Sequence, residues 1–172
     1  MINKIIEISI DEVLAKYKEE TYKSGENMSQ FLFESTNKKD LNKDKQSRIF
    51  FVNLDNFVRE QIKLAGLKNG VIICTSKHTT SSVYVNHFEV GVMNDLNESL
   101  RVEYPVNKKY EHNIWDNEYK NADAHLKAIH IGKGQSVLVK DGEMILGDFE
   151  NLIYAEFDAR PGKSFALLLM GE

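Results

Sequence analysis

The sequence contains a single cysteine, Cys74, so no disulfide can form within the chain. Cys74 lies inside the apolar run 71–74, which is typical of an inert core thiol and fits a reducing cytoplasm. No apolar run approaches the roughly 20 residues that a membrane-spanning helix needs, so no membrane partner is expected. Lys4 and Glu7 interrupt the first apolar residues, which excludes the apolar core of a signal peptide and predicts a cytoplasmic protein.

Positive charge is in slight deficit. The 22 Lys and Arg residues are outnumbered by 26 Asp and Glu residues, which gives a net charge of −4. Nucleic-acid binding requires a basic surface and is therefore not expected. The sequence also has no internal repeat and no low-complexity tract. With 172 residues, of which 42% are hydrophobic, the chain is long enough for one globular domain with a substantial core.

The N-terminal segment has the pattern of a helix. Ser9 and Glu12 have the spacing of a capping box, in which two side chains satisfy free backbone N–H groups at a helix start. Apolar residues then recur at helical spacing as far as residue 21, and Gly25 is expected to end the helix. We therefore predict an N-terminal helical extension over residues 1–25 and a single domain over residues 26–172.

Short strands dominate the rest of the chain. Strands are predicted over 30–34, 48–52, 71–74, 83–85, 136–140, 144–147, 151–157 and 165–170. The solvated segment 35–47 is expected to form a long hairpin tip, Asp141-Gly142 a tight turn, and the last two strands a final hairpin. Helices are expected from an Asp55 N-cap to Gly66, from about 92 to 103, and from 121 to about 128.

This order predicts an α+β fold with an antiparallel β core, sandwich-like or jelly-roll-like, two to three helices and the N-terminal helix.

The stretch 76–82, Ser-Lys-His-Thr-Thr-Ser-Ser, is here called the central motif. It places an imidazole and a row of hydroxyls between two apolar strands. Unpaired polar groups cost roughly 1–3 kcal/mol each when buried, so these side chains must find partners. Two interpretations stay open: the motif binds an anion or orients a metal ligand, or its hydroxyls cap the strand ends by local hydrogen bonds.

A polar, irregular segment over 106–124 contains His112 and leads into the helix that carries His125 in its first turn. Long loops in a compact domain are often functional, and helix N-termini attract anions. His78, His112 and His125 come from separate segments, so their spacing alone does not define a metal site. Each of them is also compatible with a structural histidine held by hydrogen bonds.

The ordered set of motifs resembles the YjbQ family, often labelled secondary thiamine-phosphate synthase. The resemblance covers roughly residues 26–172 and rests on the following elements: 77–82, Asn86, Asp95, Tyr110-Glu111-His112, 121–127, Gly147, Glu156-Phe157-Asp158 and Gly171-Glu172. It implies a β-sandwich-like α+β protein that assembles as a homotrimer, with a site near a subunit boundary that uses the family's histidines.

The resemblance also favours a shared site for His78, His112 and His125. Three neutral imidazoles with an open fourth position suit a divalent ion, Zn²⁺ or Mg²⁺, which would activate a bound water. Candidate catalytic or orienting residues are His78, Asn86, Asp95 and Glu156. Candidate anion-binding residues are Lys77, Thr79, Thr80, Ser81, Lys127 and Arg160.

The function is left open between two classes. One is an enzyme acting on a small phosphorylated molecule: a thiamine-phosphate synthase that joins a pyrimidine diphosphate to a thiazole phosphate and releases pyrophosphate, or a metal-assisted hydrolase of a phosphorylated or acyl substrate. The other is a non-catalytic trimeric module that binds a ligand or a metal. A Gly-rich phosphate cradle, which would favour the synthase, is missing.

Several positions depart from the family pattern. His87 stands where members often carry Glu, Asn113 where they often carry Asp, and 147–150 reads Gly-Asp-Phe-Glu in place of Gly-Thr-Trp-Gln. The change at His87 removes a carboxylate, for which Glu89 is a possible substitute, or adds a further ligand. The N-terminal helix and the 35–47 tip also look like additions to the family domain.

Overall fold

The structure is a computed structural model that describes residues 1–24, 28–34, 49–116, 118–158 and 160–172. The predicted Gly25 cap and the 35–47 tip lie outside these residues. The strands are β1 Ile2–Ser9, β2 Leu32–Glu34, β3 Phe50–Asn53, β4 Gly70–Ser76, β5 Ser81–Asn86, β6 Gly134–Lys140, β7 Glu143–Met144, β8 Asn151–Glu156 and β9 Ser164–Gly171. The helices are α1 Ile10–Ser24, α2 Asp55–Ala65, α3 Val90–Glu103, α4 His112–Trp115 and α5 Ala122–Ile131, and a 3₁₀ turn spans Met28–Gln30.

The strands form two antiparallel sheets. Sheet 1 has the order β1-β9-β4-β6-β7 and sheet 2 the order β2-β3-β8-β5. One apolar core contains side chains from both sheets, among them Ile72 and Leu167 from sheet 1 and Val83 and Tyr154 from sheet 2. Alternate residues of each strand point to this core, as expected for sheets that pack face to face. The α+β class with an antiparallel sandwich core is therefore confirmed.

A helical layer covers the other face of sheet 2. Phe51, Ile153 and Phe157 of this face belong to a second core cluster with Met93 of α3 and Ala128 of α5. Sheet 2 is thus buried on both sides, which explains why β8 is a continuous apolar run rather than an alternating one.

The N-terminal segment is only partly helical, which corrects the prediction for residues 1–25. Helix α1 begins at Ile10 as predicted, and Ser9 Oγ accepts a hydrogen bond from the Asp11 N–H, 3.2 Å away. Residues Ile2–Ser9, however, form β1, which pairs along its whole length with β9. Because Val13 and Tyr17 of α1 are buried in the core between the sheets, this segment is part of the domain rather than an appendage.

The last two strands do not form the predicted hairpin. β8 pairs with β3 and β5 in sheet 2, whereas β9 pairs with β1 and β4 in sheet 1. The connecting segment around residues 157–163 therefore crosses from one sheet to the other. Both strands are largely apolar, and hydrophobic pattern alone does not define which neighbour a strand takes.

Helix α2 starts one residue earlier than predicted. Leu54 is the N-cap and Asp55 is the first helical residue, whose carboxylate accepts hydrogen bonds from Leu152 N–H and Asn151 Nδ2, both at 2.8 Å. Asp55 therefore fastens α2 to β8 instead of capping its own helix. Gly66 ends the helix at φ 70°, as predicted.

The outer face of sheet 1 exposes apolar side chains. Ile5 of β1, Leu138 of β6 and Met170 of β9 are 70%, 61% and 43% exposed. They lie on the face opposite the core, where an exposed antiparallel sheet normally carries polar residues. Among the described residues, no helix has both the length and the apolar character that crossing a bilayer requires.

Candidate functional site

The central motif lies where the chain leaves β4 of sheet 1 and enters β5 of sheet 2. Its hydroxyls are buried and bonded within the chain: Ser76 Oγ to Ser81 Oγ, Thr80 Oγ1 to Glu156 Oε1, and Ser82 Oγ to the Ala128 carbonyl. This geometry favours the interpretation in which the hydroxyls secure the strand ends. Thr79, which is exposed, is the exception.

His78 is tied to the start of β9. Its Nε2 accepts a hydrogen bond from the Ser164 N–H at 2.9 Å and lies 3.2 Å from Ser164 Oγ. Burial lowers the pKa of His78, and the charges of Lys163, Lys77 and Lys133 lower it further. The ring is therefore neutral at neutral pH, and the lone pair of Nε2 is occupied by a backbone donor.

His112 and His125 face each other across the helical layer. Their ring centroids are 4.8 Å apart with an interplanar angle of 76°. His112 is the first residue of α4, and His125 lies one turn into α5. The polar segment that precedes α5 thus brings two of the three predicted histidines together.

Asn121 and Asp158 connect this pair to Arg160. Asn121 Oδ1 lies 3.1 Å from His112 Nε2, and Asn121 Nδ2 donates to Asp158 Oδ2 at 2.7 Å. The same carboxylate oxygen accepts from Arg160 Nε, at 2.8 Å, and from Nη2. We call His112, Asn121, His125, Asp158 and Arg160 the histidine cluster.

Aromatic and acidic side chains border the cluster. The Arg160 guanidinium lies over the ring of Tyr119, 3.8 Å from its centroid. Asp116 accepts the backbone N–H groups of Glu118 and Tyr119 and lies 3.8 Å from His112 Nε2. The guanidinium is thus held between a carboxylate and an aromatic face, which fixes its orientation.

The pKa of His125 is lowered chiefly by burial, and the neighbouring His112 adds to this effect. Asp158 and a hydrogen bond to the Thr79 backbone act in the opposite direction. A hydrogen bond that favours the protonated ring has the ring as donor, so the Thr79 carbonyl is the acceptor. His125 is therefore neutral at neutral pH, with one nitrogen protonated toward Thr79.

Glu156 lies behind the cluster, between the two sheets. It is completely buried and accepts hydrogen bonds from Thr80 Oγ1 and the Asp158 N–H at Oε1 and from Tyr154 OH at Oε2. Lys163 Nζ lies 3.1 Å from Oε1. Burial raises the pKa of Glu156, while the Lys163 charge opposes the rise.

Two predicted anion-binding lysines are engaged elsewhere. Lys127 is completely buried and donates to Asp123 Oδ2 at 2.7 Å within α5. Lys77 pairs with Glu7 of β1. Neither ammonium is aimed into the histidine cluster by these contacts, whereas Arg160 is part of it.

Asn86 and Asp95 lie away from the cluster. Ser81 pairs with Glu156 at one end of β5, and Asn86 is at the other end, about 16 Å along the strand. Asp95 is on the exposed side of α3. Glu89, considered as a substitute carboxylate, caps α3 by accepting from the N–H groups of Gly91 and Val92.

The departures from the family pattern have structural partners. The His87 ring packs against the Phe149 ring, with centroids 5.3 Å apart, so two of the unusual positions are in contact with each other. Asn113 Oδ1 accepts the Ala122 N–H at 3.0 Å and so holds the start of α5 beside α4.

The described residues do not fit the expected metal ion. Among them, no group of three or more His, Cys, Asp and Glu side chains is arranged to hold one. His112 and His125 are close together, but His78 is bonded to Ser164 and the Asp158 carboxylate is taken by Asn121 and Arg160.

The sequence motifs contain Asn121 and Asp158 but indicate no role for them, and no motif identifies Tyr119, Lys163 or Ser164 as part of the site. The sequence signal for Asp158 was its place two residues before Arg160, at the end of a buried strand. No pattern in the sequence indicated that Lys163 would lie beside Glu156.

The fold and the cluster define a three-layered β-sandwich protein with a histidine pair beside its helical layer. The model of the family described as UPF0047 protein YjbQ-like matches residues 39–172. A UPF0047 protein of Methanothermobacter thermautotrophicus is 30% identical over 125 residues, which cover 73% of this chain and 85% of that protein. The chain belongs to the YjbQ-like UPF0047 family, as the motifs predicted.

Two crystal structures have a similar fold. A YbjQ-like protein of unknown function from Sulfolobus solfataricus gives a TM-score of 0.70 at 20% identity and covers 99% of this chain and 100% of its own. A hypothetical protein from Aeropyrum pernix gives 0.68 at 22% identity, with both chains covered completely. At such identities the likeness shows the fold alone.

Proposed function

We propose that the histidine cluster binds a small anionic substrate, phosphorylated or acylated, and hydrolyses it with His125 as the proton acceptor. The observation that carries this proposal is the facing pair His112 and His125, in which each ring has one nitrogen committed to a protein acceptor. Family membership does not name the reaction.

The two imidazoles present unprotonated nitrogens. Because Asn121 Nδ2 donates to Asp158, its Oδ1 faces His112 and must accept from His112 Nε2. His125 donates in the same way to the Thr79 carbonyl. In the neutral state each ring therefore keeps one free lone pair. A neutral imidazole is suited to take a proton from water as that water attacks the phosphorus or the acyl carbon. The ester bond to the leaving alcohol then breaks, and the imidazolium returns the proton to that alcohol.

Arg160 supplies the anion-binding group. Its Nε and Nη2 are used by Asp158, and Nη1 has no hydrogen-bond partner among the described residues. The guanidinium is partly exposed, with 39% of the side chain accessible. A guanidinium already held by a carboxylate and an aromatic ring offers its remaining N–H groups to a phosphate or carboxylate without further ordering.

Thiamine-phosphate synthesis is the less well supported reaction. Expulsion of pyrophosphate requires several cations near the leaving group. The cluster contributes Arg160, whereas Lys77 is paired with Glu7 and Lys127 with Asp123. This supply of charge suits a single phosphate or carboxylate better than a pyrophosphate.

A hydrolase screen with small phosphate and carboxylate esters tests the proposal. We expect wild-type protein to turn over at least one class, and His125→Ala to lose most of that activity, on the order of 10²-fold or more. His130→Ala, on the exposed end of α5 beside Tyr104, is the matched control and keeps the activity. Activity that survives His125→Ala, or no turnover of either ester class, would refute the assignment.

The homotrimer expected from the family is also a proposal, with the outer face of sheet 1 as its contact surface and a second copy of the chain as the occupant. The exposed apolar side chains of Ile5, Leu138 and Met170 support it, since an uncovered sheet face of this composition favours association. Light scattering of Leu138→Lys should show a smaller species than wild type. Leu64→Lys, at a position of α2 with similar exposure, is the control, and unchanged mass of Leu138→Lys would contradict the proposal.

A further inference from the structure

We infer that Glu156 is a positioning residue that sets the orientation of both facing histidines through a single carboxylate oxygen. Oε1 accepts from Thr80 Oγ1 at 3.1 Å and from the Asp158 N–H at 2.9 Å, and Lys163 Nζ lies 3.1 Å from it. Oε2 has a different partner, the Tyr154 hydroxyl at 2.9 Å. The two oxygens thus serve separate parts of the molecule.

Two series of hydrogen bonds, here called routes, begin at Glu156 Oε1. The first route runs through Thr80 to His125. Thr80 follows Thr79, whose carbonyl accepts the His125 ring N–H. Lys163 Nζ also contacts Thr80 Oγ1, at 2.8 Å, and an ammonium only donates. Thr80 Oγ1 must therefore use its own proton toward Glu156, so the hydroxyl has one orientation and the turn at Thr79 is held in place.

The second route leads to His112. The Asp158 backbone is held by Glu156, and its side chain accepts from Asn121 Nδ2. Asn121 Oδ1 in turn faces His112 Nε2, and the same carboxylate orients Arg160. Rotation or loss of the Glu156 carboxylate would release both ends of the histidine cluster together.

The ion pair with Lys163 explains how the buried Glu156 carboxylate can hold Thr80 and Asp158 in fixed positions. Glu156 is fully buried and Lys163 is 9% exposed. A buried charge needs a close partner and hydrogen bonds at its remaining lone pairs, and a group satisfied in this way has little freedom to move. A neutral apolar residue at the position would fill the space without holding Thr80 or Asp158.

Four variants separate this role from general packing. Thr80→Val is isosteric and removes the first route only, and Glu156→Met removes both. Glu156→Gln keeps an acceptor oxygen and is the conservative variant expected to rescue. Tyr154→Phe removes the bond at Oε2 and leaves the contacts of Oε1, and it is the matched control because Tyr154 is buried in the same network.

The measurement is NMR of the imidazole nitrogens during a pH titration of the free protein. The groups that act on His125 are His112, Asp158, Arg160 and the Thr79 backbone. We expect Thr80→Val to lower the pKa of His125 and leave the nitrogen chemical shifts of His112 as in wild type. Glu156→Met should lower the pKa of His125 and also change the His112 shifts. Glu156→Gln and Tyr154→Phe should leave them near wild type, with His87 and His130 as distant references in every sample.

A parallel titration with inorganic phosphate links the positioning to binding and rests on the proposed function. We expect Glu156→Met to weaken phosphate binding about tenfold. If wild type binds no phosphate, the proposed function fails while the NMR pattern still decides the positioning role. Should Glu156→Met not fold, Thr80→Val decides. Unchanged His125 signals in Thr80→Val, or equal shifts in Tyr154→Phe, would overturn the inference.

Discussion

The ring of His112 meets the ring of His125 edge to face, at 4.8 Å between centroids, although the two residues lie on different helices. Two imidazolium ions at this separation repel each other, so protonation of one ring disfavours protonation of the other. The lowered pKa of His125 follows chiefly from burial, and this contact lowers it further. The same contact therefore affects both the acid–base chemistry of the cluster and the stability of the fold.

Stability should fall in mild acid because of His125. Its folded pKa lies below the ordinary value, about 6.5 in an unfolded chain, so the unfolded state binds more protons once the pH falls below that value. The contribution is fully present above about pH 6.5 and is lost as the pH falls toward the folded pKa. His125→Gln should therefore show a smaller loss of unfolding free energy between about pH 7.5 and 5.5 than wild type, as measured by urea denaturation.

The control for this prediction is Ile129→Gln, because Ile129 is an exposed residue of the same helix and carries no titratable group. Its pH dependence should parallel that of wild type. A parallel curve for His125→Gln as well would mean that this imidazole does not contribute to acid sensitivity.

Removing one partner of the buried pair Lys127 and Asp123 should lower the free energy of unfolding more than removing both partners. Lys127→Met leaves the Asp123 carboxylate buried without its cation, and we expect a loss of about 3–5 kcal/mol in the free energy of unfolding. The double variant Asp123→Asn with Lys127→Met removes the charge as well and should recover most of the loss. Equal losses in the single and double variants, measured by urea denaturation, would contradict this expectation.

The sequence predicted the elements of the fold better than their neighbours. The strands β4, β5, β6, β8 and β9 and the capped helix α1 are close to where the apolar spacing and turn residues placed them. The partners of β8 and β9 were predicted wrongly, because apolar strands fit more than one neighbour and only the packing of Tyr154 and Phe165 in a common core decides. β1 was missed because its apolar residues alternate with charge, as an edge strand requires.

For the candidate site as well, the sequence motifs indicated residues but not the contacts between them. The motif around His112 and the motif around His125 identified the two residues that meet, but no spacing along the chain predicts the Asn121 bridge between His112 and Asp158. His78 was predicted to share a site with His112 and His125. In the structure it is instead hydrogen-bonded to Ser164, 86 residues later in the chain. Contacts of this kind depend on how the two sheets pack, which local patterns do not contain.

The link between α2 and β8 should depend on Asp55. Its carboxylate accepts the Leu152 N–H and the Asn151 side chain, and removing it leaves a partly buried backbone donor without a partner. Asp55→Ala should lower the free energy of unfolding by about 1–3 kcal/mol. Asp148→Ala, at an exposed position of the loop that precedes β8, should stay within about 0.5 kcal/mol of wild type. A loss for Asp55→Ala no larger than for Asp148→Ala would exclude the link.

Arginine at position 160 should not be replaceable by lysine. The guanidinium donates twice to Asp158, lies over the Tyr119 ring and keeps Nη1 for a ligand, whereas an ammonium cannot combine these three contacts. Arg160→Lys should weaken the binding of inorganic phosphate about tenfold in calorimetric titration, with little change in unfolding free energy. Arg101→Lys, on α3, keeps its charge near Glu98 and is the control for a general effect of the substitution. Wild-type affinity in Arg160→Lys would mean that charge alone binds the anion, and that the geometry imposed by Asp158 and Tyr119 serves the fold.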